Sequence, residues 1–236
     1  MFMCFAFAAG VVRGYSGFGF AMVLTLGLLA SLPAAQVIPV VLMLDLVCSA
    51  SLWPGALKTF HARIGGQLIA GMLLAVPLGA LALARLPAHW MAPVAAGLCL
   101  LGGVLVLARP AVSTRLTSRW ALPAGLASGL ATAMASAGGP PLVVYLLRSG
   151  LPTARVRGTA IVFFAVSSGC ALLSLWLLQA LNREQLHLAA TLLLPALAGN
   201  LLGQWLFRRK PRSLQRVIGV LLVLLSAATL LNSLLA

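Results

Sequence analysis

Two charged side chains stand inside runs that are otherwise apolar: Arg13 in "AAGVVRGYSGFGFAM" and Asp45 in "VVLMLDLVCSA". A charge is expensive in hydrocarbon, so both must face protein or a wet cavity. Two chemistries suit them. The guanidinium and the carboxylate can neutralise each other as a structural pair. Alternatively, Arg13 attracts an anion while Asp45 carries a proton. Ser49 and Ser168, with Ser51 and Ser167 beside them, offer hydroxyl donors to an anion, or hydrogen bonds that merely pack helices. Asp45 has no second acid near it, for the only other one is Glu184. Cys4, Cys48, Cys99 and Cys170 lie singly in apolar runs, and His61, His89 and His187 are isolated. None has metal-ligand spacing, and no Ser-His-Asp set stands out, so neither a cofactor nor enzymatic chemistry is expected.

Two glycine-rich breaks accompany these charges. "GYSGFGF" contains Tyr15, Ser16, Gly17 and Gly19, and "SAGGPP" contains Ser136, Gly138, Gly139, Pro140 and Pro141. Irregular backbone at membrane depth is tolerated only if protein covers it or a wet cavity solvates it. Glycine allows a sharp turn and close approach, and proline costs little at a helix start. "GGPPLVVYLL" therefore predicts a turn and then a half-helix whose free N–H groups favour an anion. The competing explanation is glycine contact between close-packed helices.

The elements that must position these residues are membrane helices. The chain is 236 residues long, 62% hydrophobic and 8% charged, too apolar for a soluble fold that must cover its surface with polar groups. Eight segments are long and apolar enough to span: 1–30, 34–57, 64–84, 90–108, 120–147, 158–181, 185–207 and 214–236. The formal charge of +14 sits almost wholly between them, where basic residues orient helices, and no basic helix carries the interleaved aromatics of a nucleic-acid site. "MFMCFAFAAG" lacks the basic leader of a secretory signal and is expected to belong to the mature protein.

A shift of 119 residues lays one half over the other: Gly10 on Gly129, Gly19 on Gly138, "LPAA" at Leu32 on "LPTA" at Leu151, and Ser49 on Ser168. Two membrane repeats, 1–118 and 119–236, with four segments each, are expected within one transmembrane unit. Basic residues set the orientation. If all eight segments cross, the loops show no useful bias. If segment 120–147 enters and leaves on one face, thirteen inter-segment basic residues share a side and only Arg85 and Arg183 lie opposite, as the positive-inside rule asks. As one straight helix that segment would run roughly 40 Å against a core of about 30 Å. By the repeat, segment 1–30 is broken in the same way. Three crossings beside each re-entrant hairpin make the second repeat inverted, as in some secondary transporters.

"AAGVVRGYSGFGFAMVLTLGLL", "LPAAQ" and "GGPPLVVYLLRSGLPTARVRGT" resemble the sulfite exporter TauE/SafE family, and the resemblance extends over nearly the whole chain. Phe18 and Phe20 flank Gly19 where the family usually carries a glycine triplet. The resemblance implies a secondary transporter in a bacterial inner membrane, moving sulfite, sulfonates or related organic anions without an ATPase domain. Its partners would be a small anion and the bilayer, with homo-oligomers allowed and no nucleic acid. Arg13, Tyr15, Ser16, Gly17, Gly19, Ser49, Ser136, Gly138, Gly139, Pro140 and Ser168 are the candidate substrate contacts, and Asp45 the candidate proton carrier. Two other classes stay open: a membrane enzyme on a lipid or quinone, and a scaffold subunit.

Overall fold

The computed structural model describes residues 1–85 and 117–209, together with 97, 100 and 104. Apart from those three positions, the expected segments 90–108 and 214–236 lie outside the described residues. Among the described residues, all regular structure is helical. Helices α1 (Phe2–Ser16), α2 (Phe20–Leu29), α3 (Ala34–Leu57) and α4 (Ala62–Arg85) come first. A 3-10 turn (Ser118–Trp120) then leads into α5 (Ala121–Ala135), α6 (Gly139–Arg148), α7 (Thr153–Leu177) and α8 (Arg183–Arg209). Among the described residues, four stretches are long and apolar enough to cross a membrane: α3, Ala62–Ala82 of α4, α7 and α8. At about 22 Å and 15 Å, neither α1 nor α2 reaches across a core of about 30 Å.

Both expected breaks are present, and each makes a hairpin. The Phe5 ring of α1 packs against Gly27 near the end of α2, and Val12 packs against Gly19 at the turn, so α2 runs back along α1. Near the end of α6, Tyr145 Oη donates to the carbonyl of Thr117, ahead of α5, at 3.5 Å. Leu-Pro then starts the next helix in both halves. Pro33 and Pro152 are the N-caps of α3 and α7, and their carbonyls accept from Val37 (3.1 Å) and Val156 (3.0 Å). Proline is preset for a helix entrance, where it forfeits no helical donor bond. Hence α7 begins at Thr153, five residues before the expected segment, and draws Arg155 and Arg157 into a helix. The shift of 119 maps α1 onto α5 and α2 onto α6 end to end, and the start of α3 onto the start of α7.

Helices pack across the halves. α1 lies along α8, α4 along α5, and α3 along α7. Gly10 and Gly14 meet the backbone of Ala196 and Asn200, while Gly199 and Gly203 meet that of Phe7 and Val11. Glycines four apart on facing helices let backbones touch, which suits lipid, where burial of apolar side chains supplies little drive. On the other side, Gly125 and Gly129 meet Leu68 and Met72. Among the described residues two large apolar cores result, beside a small one of Leu52, Ala56, Ile161 and Val162, and each large core receives the other half's break. Ala137 packs with Val12, Phe20, Leu44 and Leu192, whereas Phe18 packs with Leu68, Met72, Leu142 and Phe163. Large apolar side chains such as Leu74, Leu78, Trp176 and Leu194 point outward, as lipid-facing positions should.

Among the described residues, several of the basic side chains gather at one end of the helices. The His61 N–H donates to Thr159 Oγ1 at 3.1 Å, so the α3–α4 junction, with Lys58 before it and Arg63 in the first turn of α4, sits beside the start of α7. Arg208, at the end of α8, shares a cavity with Thr59 and Arg157. At the opposite end, Gln36 donates to Glu184 (3.3 Å) and Gln185 donates to the carbonyl of Ala35 (3.1 Å).

Candidate functional site

In the first break, Gly17 ends α1 with φ 81°, and its N–H donates to the Arg13 carbonyl at 2.8 Å. Gly19 has φ 87° and precedes α2. Both are left-handed positions, where a Cβ is strained. Ser16 Oγ lies 2.7 Å from the Val12 carbonyl and 2.6 Å from that of Phe18, and accepts from the Phe18 N–H at 3.2 Å. That hydroxyl holds the turn.

The second break is built with different chemistry. Its left-handed residue is Ser136 (φ 51°), not a glycine. The Ser136 N–H donates to the Thr132 carbonyl (2.8 Å) and the Ala137 N–H to that of Ala131 (3.0 Å), closing the helix end. Gly138 has an ordinary φ of −69°. It is needed for space, because a Cβ would strike the Thr132 hydroxyl and the Ser128 carbonyl. Ser128 Oγ also donates to the Gly138 carbonyl. The expectation that Gly138 and Gly139 make the turn is therefore corrected. Gly139 starts α6 and faces Met22 and Phe164 at ordinary distances, 3.6 and 4.0 Å from a Cβ position. Pro140 and Pro141 fit the first turn as expected, but they have no N–H and so thin out its donors.

The two membrane charges meet. Arg13 Nη1 is 3.2 Å from Asp45 Oδ1, with side-chain exposures of 1% and 2%. Arg13 Nη2 donates to Ser49 Oγ, which donates onward to the Asp45 carbonyl at 2.6 Å. Ser168 Oγ donates to Asp45 Oδ2 at 2.8 Å. The guanidinium carbon lies 5.1 Å from the centroid of Phe164, the ring that Gly139 faces, so the pair sits between the breaks. Arg13 Nε and the hydroxyls of Ser136, Ser167 and Thr25 are buried without a hydrogen-bond partner. Such groups are costly to bury and are uncommon in a purely structural core.

Of the sequence candidates, Arg13, Asp45, Ser49 and Ser168 form one cluster, and Ser136 and Gly139 stand at the break beside it. Tyr15 and Ser16 instead line a separate cavity with Arg157, and the Tyr15 ring meets Phe207 edge-on at 5.9 Å. Two polar residues were not singled out from sequence. Arg157 Nη2 donates to the Gly14 carbonyl at 2.8 Å and its head lies 4.4 Å from the Phe207 centroid. Asn200, fully buried, donates to the Cys48 carbonyl (3.2 Å) and to Ser51 Oγ (2.8 Å). An asparagine between Gly199 and Gly203 was the available signal for the second.

Among the described residues, no group of His, Cys, Asp and Glu is placed to hold a metal ion. No curated relative and no solved structure matches the chain. The family model for sulfite exporter TauE/SafE matches residues 2–229. Spanning apolar helices and a match over nearly the whole length agree: the chain belongs to the sulfite exporter TauE/SafE family of membrane transporters.

Proposed function

We propose that the protein is a secondary transporter of sulfite or small sulfonates in a bacterial inner membrane, coupling one monoanion to one proton at Arg13 and Asp45. The observation that carries this reading is the buried, neutral Arg13–Asp45 pair between the two helix breaks. An anion added to a neutral pair leaves a net charge inside the membrane, costing about 2.5–3.5 kcal/mol even on lenient scales. A proton taken up by Asp45 cancels it and frees the guanidinium for the anion. Empty and fully loaded sites are then both neutral. Half-loaded sites are suppressed more than about fiftyfold, since each 1.4 kcal/mol is tenfold.

The same reading takes residues 1–118 and 119–236 as inverted repeats that rock against each other in alternating access. The equal element bounds at a shift of 119 support it. So do the exchanged pairings, in which Gly199 meets Val11 as Gly79 meets Leu130. Uptake into proteoliposomes by Arg13→Gln, Asp45→Asn and the double variant tests the proposal. The double variant should regain the expression that Arg13→Gln loses, because no lone charge remains buried, yet stay inactive. Near-normal uptake by the double variant would make the pair structural.

A further inference from the structure

Arg157 lines a cavity of about 220 Å³ together with Tyr15, Phe18, Val143, Leu147 and Phe207. Among the described residues, no carboxylate answers its charge. The sequence holds two acids. Asp45 is paired with Arg13, and Glu184 hydrogen-bonds Gln36 at the other end of α8. One nitrogen of Arg157 is committed to Gly14, while Nε is buried without a hydrogen-bond partner. The cavity lies at the end that gathers Lys58, Arg63, Arg155 and Arg208, where the summed field draws anions inward. Gly14, which Arg157 holds, is the residue after Arg13.

We infer that this cavity is a second anion subsite, one that takes a small organic oxyanion with its charged head on Arg157 and its short carbon chain against Phe18, Val143 and Leu147. It rests on the transport reading in that the subsite is a station on the way to Arg13. A bare inorganic anion would leave the apolar wall unused. An alkyl chain gains from it with each methylene buried. The cavity is smaller than the roughly 300–1,000 Å³ of pockets for drug-sized ligands, so only a few carbons fit.

The test is equilibrium titration of the purified full chain in detergent with sulfite and with methane-, ethane- and propanesulfonate. Wild-type affinity should rise about fourfold per methylene. Arg157→Gln should weaken propanesulfonate at least tenfold. Leu147→Trp, which narrows the cavity without touching the bonds of Arg157, should weaken propanesulfonate more than sulfite. Equal affinity for sulfite and propanesulfonate in the wild type, or undiminished propanesulfonate binding by Arg157→Gln, would overturn the subsite. Binding is read without flux, so the two claims fail separately. Sulfonate bound but never carried would sink the transport reading and keep the subsite. Sulfite carried with no chain-length preference in binding would do the reverse.

Discussion

The two hairpins share one backbone plan and differ in what they carry. At a shift of 119, left-handed Gly17 falls on left-handed Ser136, and Gly19 falls on Gly138, each the residue before its second half-helix. The charges do not repeat. Arg13 falls on Thr132, whose hydroxyl only donates to the Ser128 carbonyl at 2.8 Å, and Asp45 falls on Phe164, the ring under the guanidinium. Ser49 and Ser168 are equivalent, yet one accepts from the cation while the other donates to the anion. The fold supplies a symmetric frame for irregular backbone. Only one half supplies the ion pair, so chemistry can be removed from it without dismantling the frame.

The widest contrast should be between equivalent positions 13 and 132. Arg13→Gln leaves Asp45 buried without its cation and should cost about 3–5 kcal/mol, with uptake lost. Thr132→Ala should cost under about 1 kcal/mol, because a hydroxyl-to-carbonyl bond within a helix contributes little. Melting in detergent and uptake measure both, and equal damage would break the comparison. Next come the neighbouring glycines. Gly138→Ala drives a methyl into Thr132 and Ser128 and should cost about 1–3 kcal/mol. Gly139→Ala meets Met22 and Phe164 at ordinary van der Waals distances, 3.6 and 4.0 Å, and should be nearly neutral. The smallest contrast is one of sign. Gly17→Ala forces a Cβ into the left-handed region and against Arg157, lowering stability by about 1–2 kcal/mol. Ser136→Gly relieves the same strain and should raise stability by up to about 1 kcal/mol. Matching signs in thermal melts would mean that the two turns are not strained alike.

Much of this was legible because lipid narrows the choices. Charge-free runs, two breaks and a lopsided set of basic residues led to helices folded back as hairpins, and Arg13 and Asp45 stood out because hydrocarbon tolerates few charges. Arg157 was hidden by its neighbours. In "RSGLPTARVRGT" a cation reads as loop charge, and only the helix started by Pro152 turns Arg157 inward while Arg155 remains exposed. The sequence misplaces the turn of the second break for a related reason. The two adjacent glycines drew the reading, but helix closure by the Ser136 and Ala137 N–H groups fixed the turn two residues earlier, and Gly138 answers a tertiary contact that no local pattern records.

Proton movement measured alongside anion movement tests the coupling most directly. Proteoliposomes loaded with a pH dye and clamped at zero membrane potential should show internal acidification with a stoichiometry of about one proton per sulfonate, the charge balance that a neutral pair demands. Asp45→Asn should abolish both net signals yet still exchange labelled sulfonate for unlabelled sulfonate, since exchange carries no net proton. Net uptake by Asp45→Asn at wild-type rate, or wild-type uptake with no proton, would contradict the coupling of anion to proton at Arg13 and Asp45.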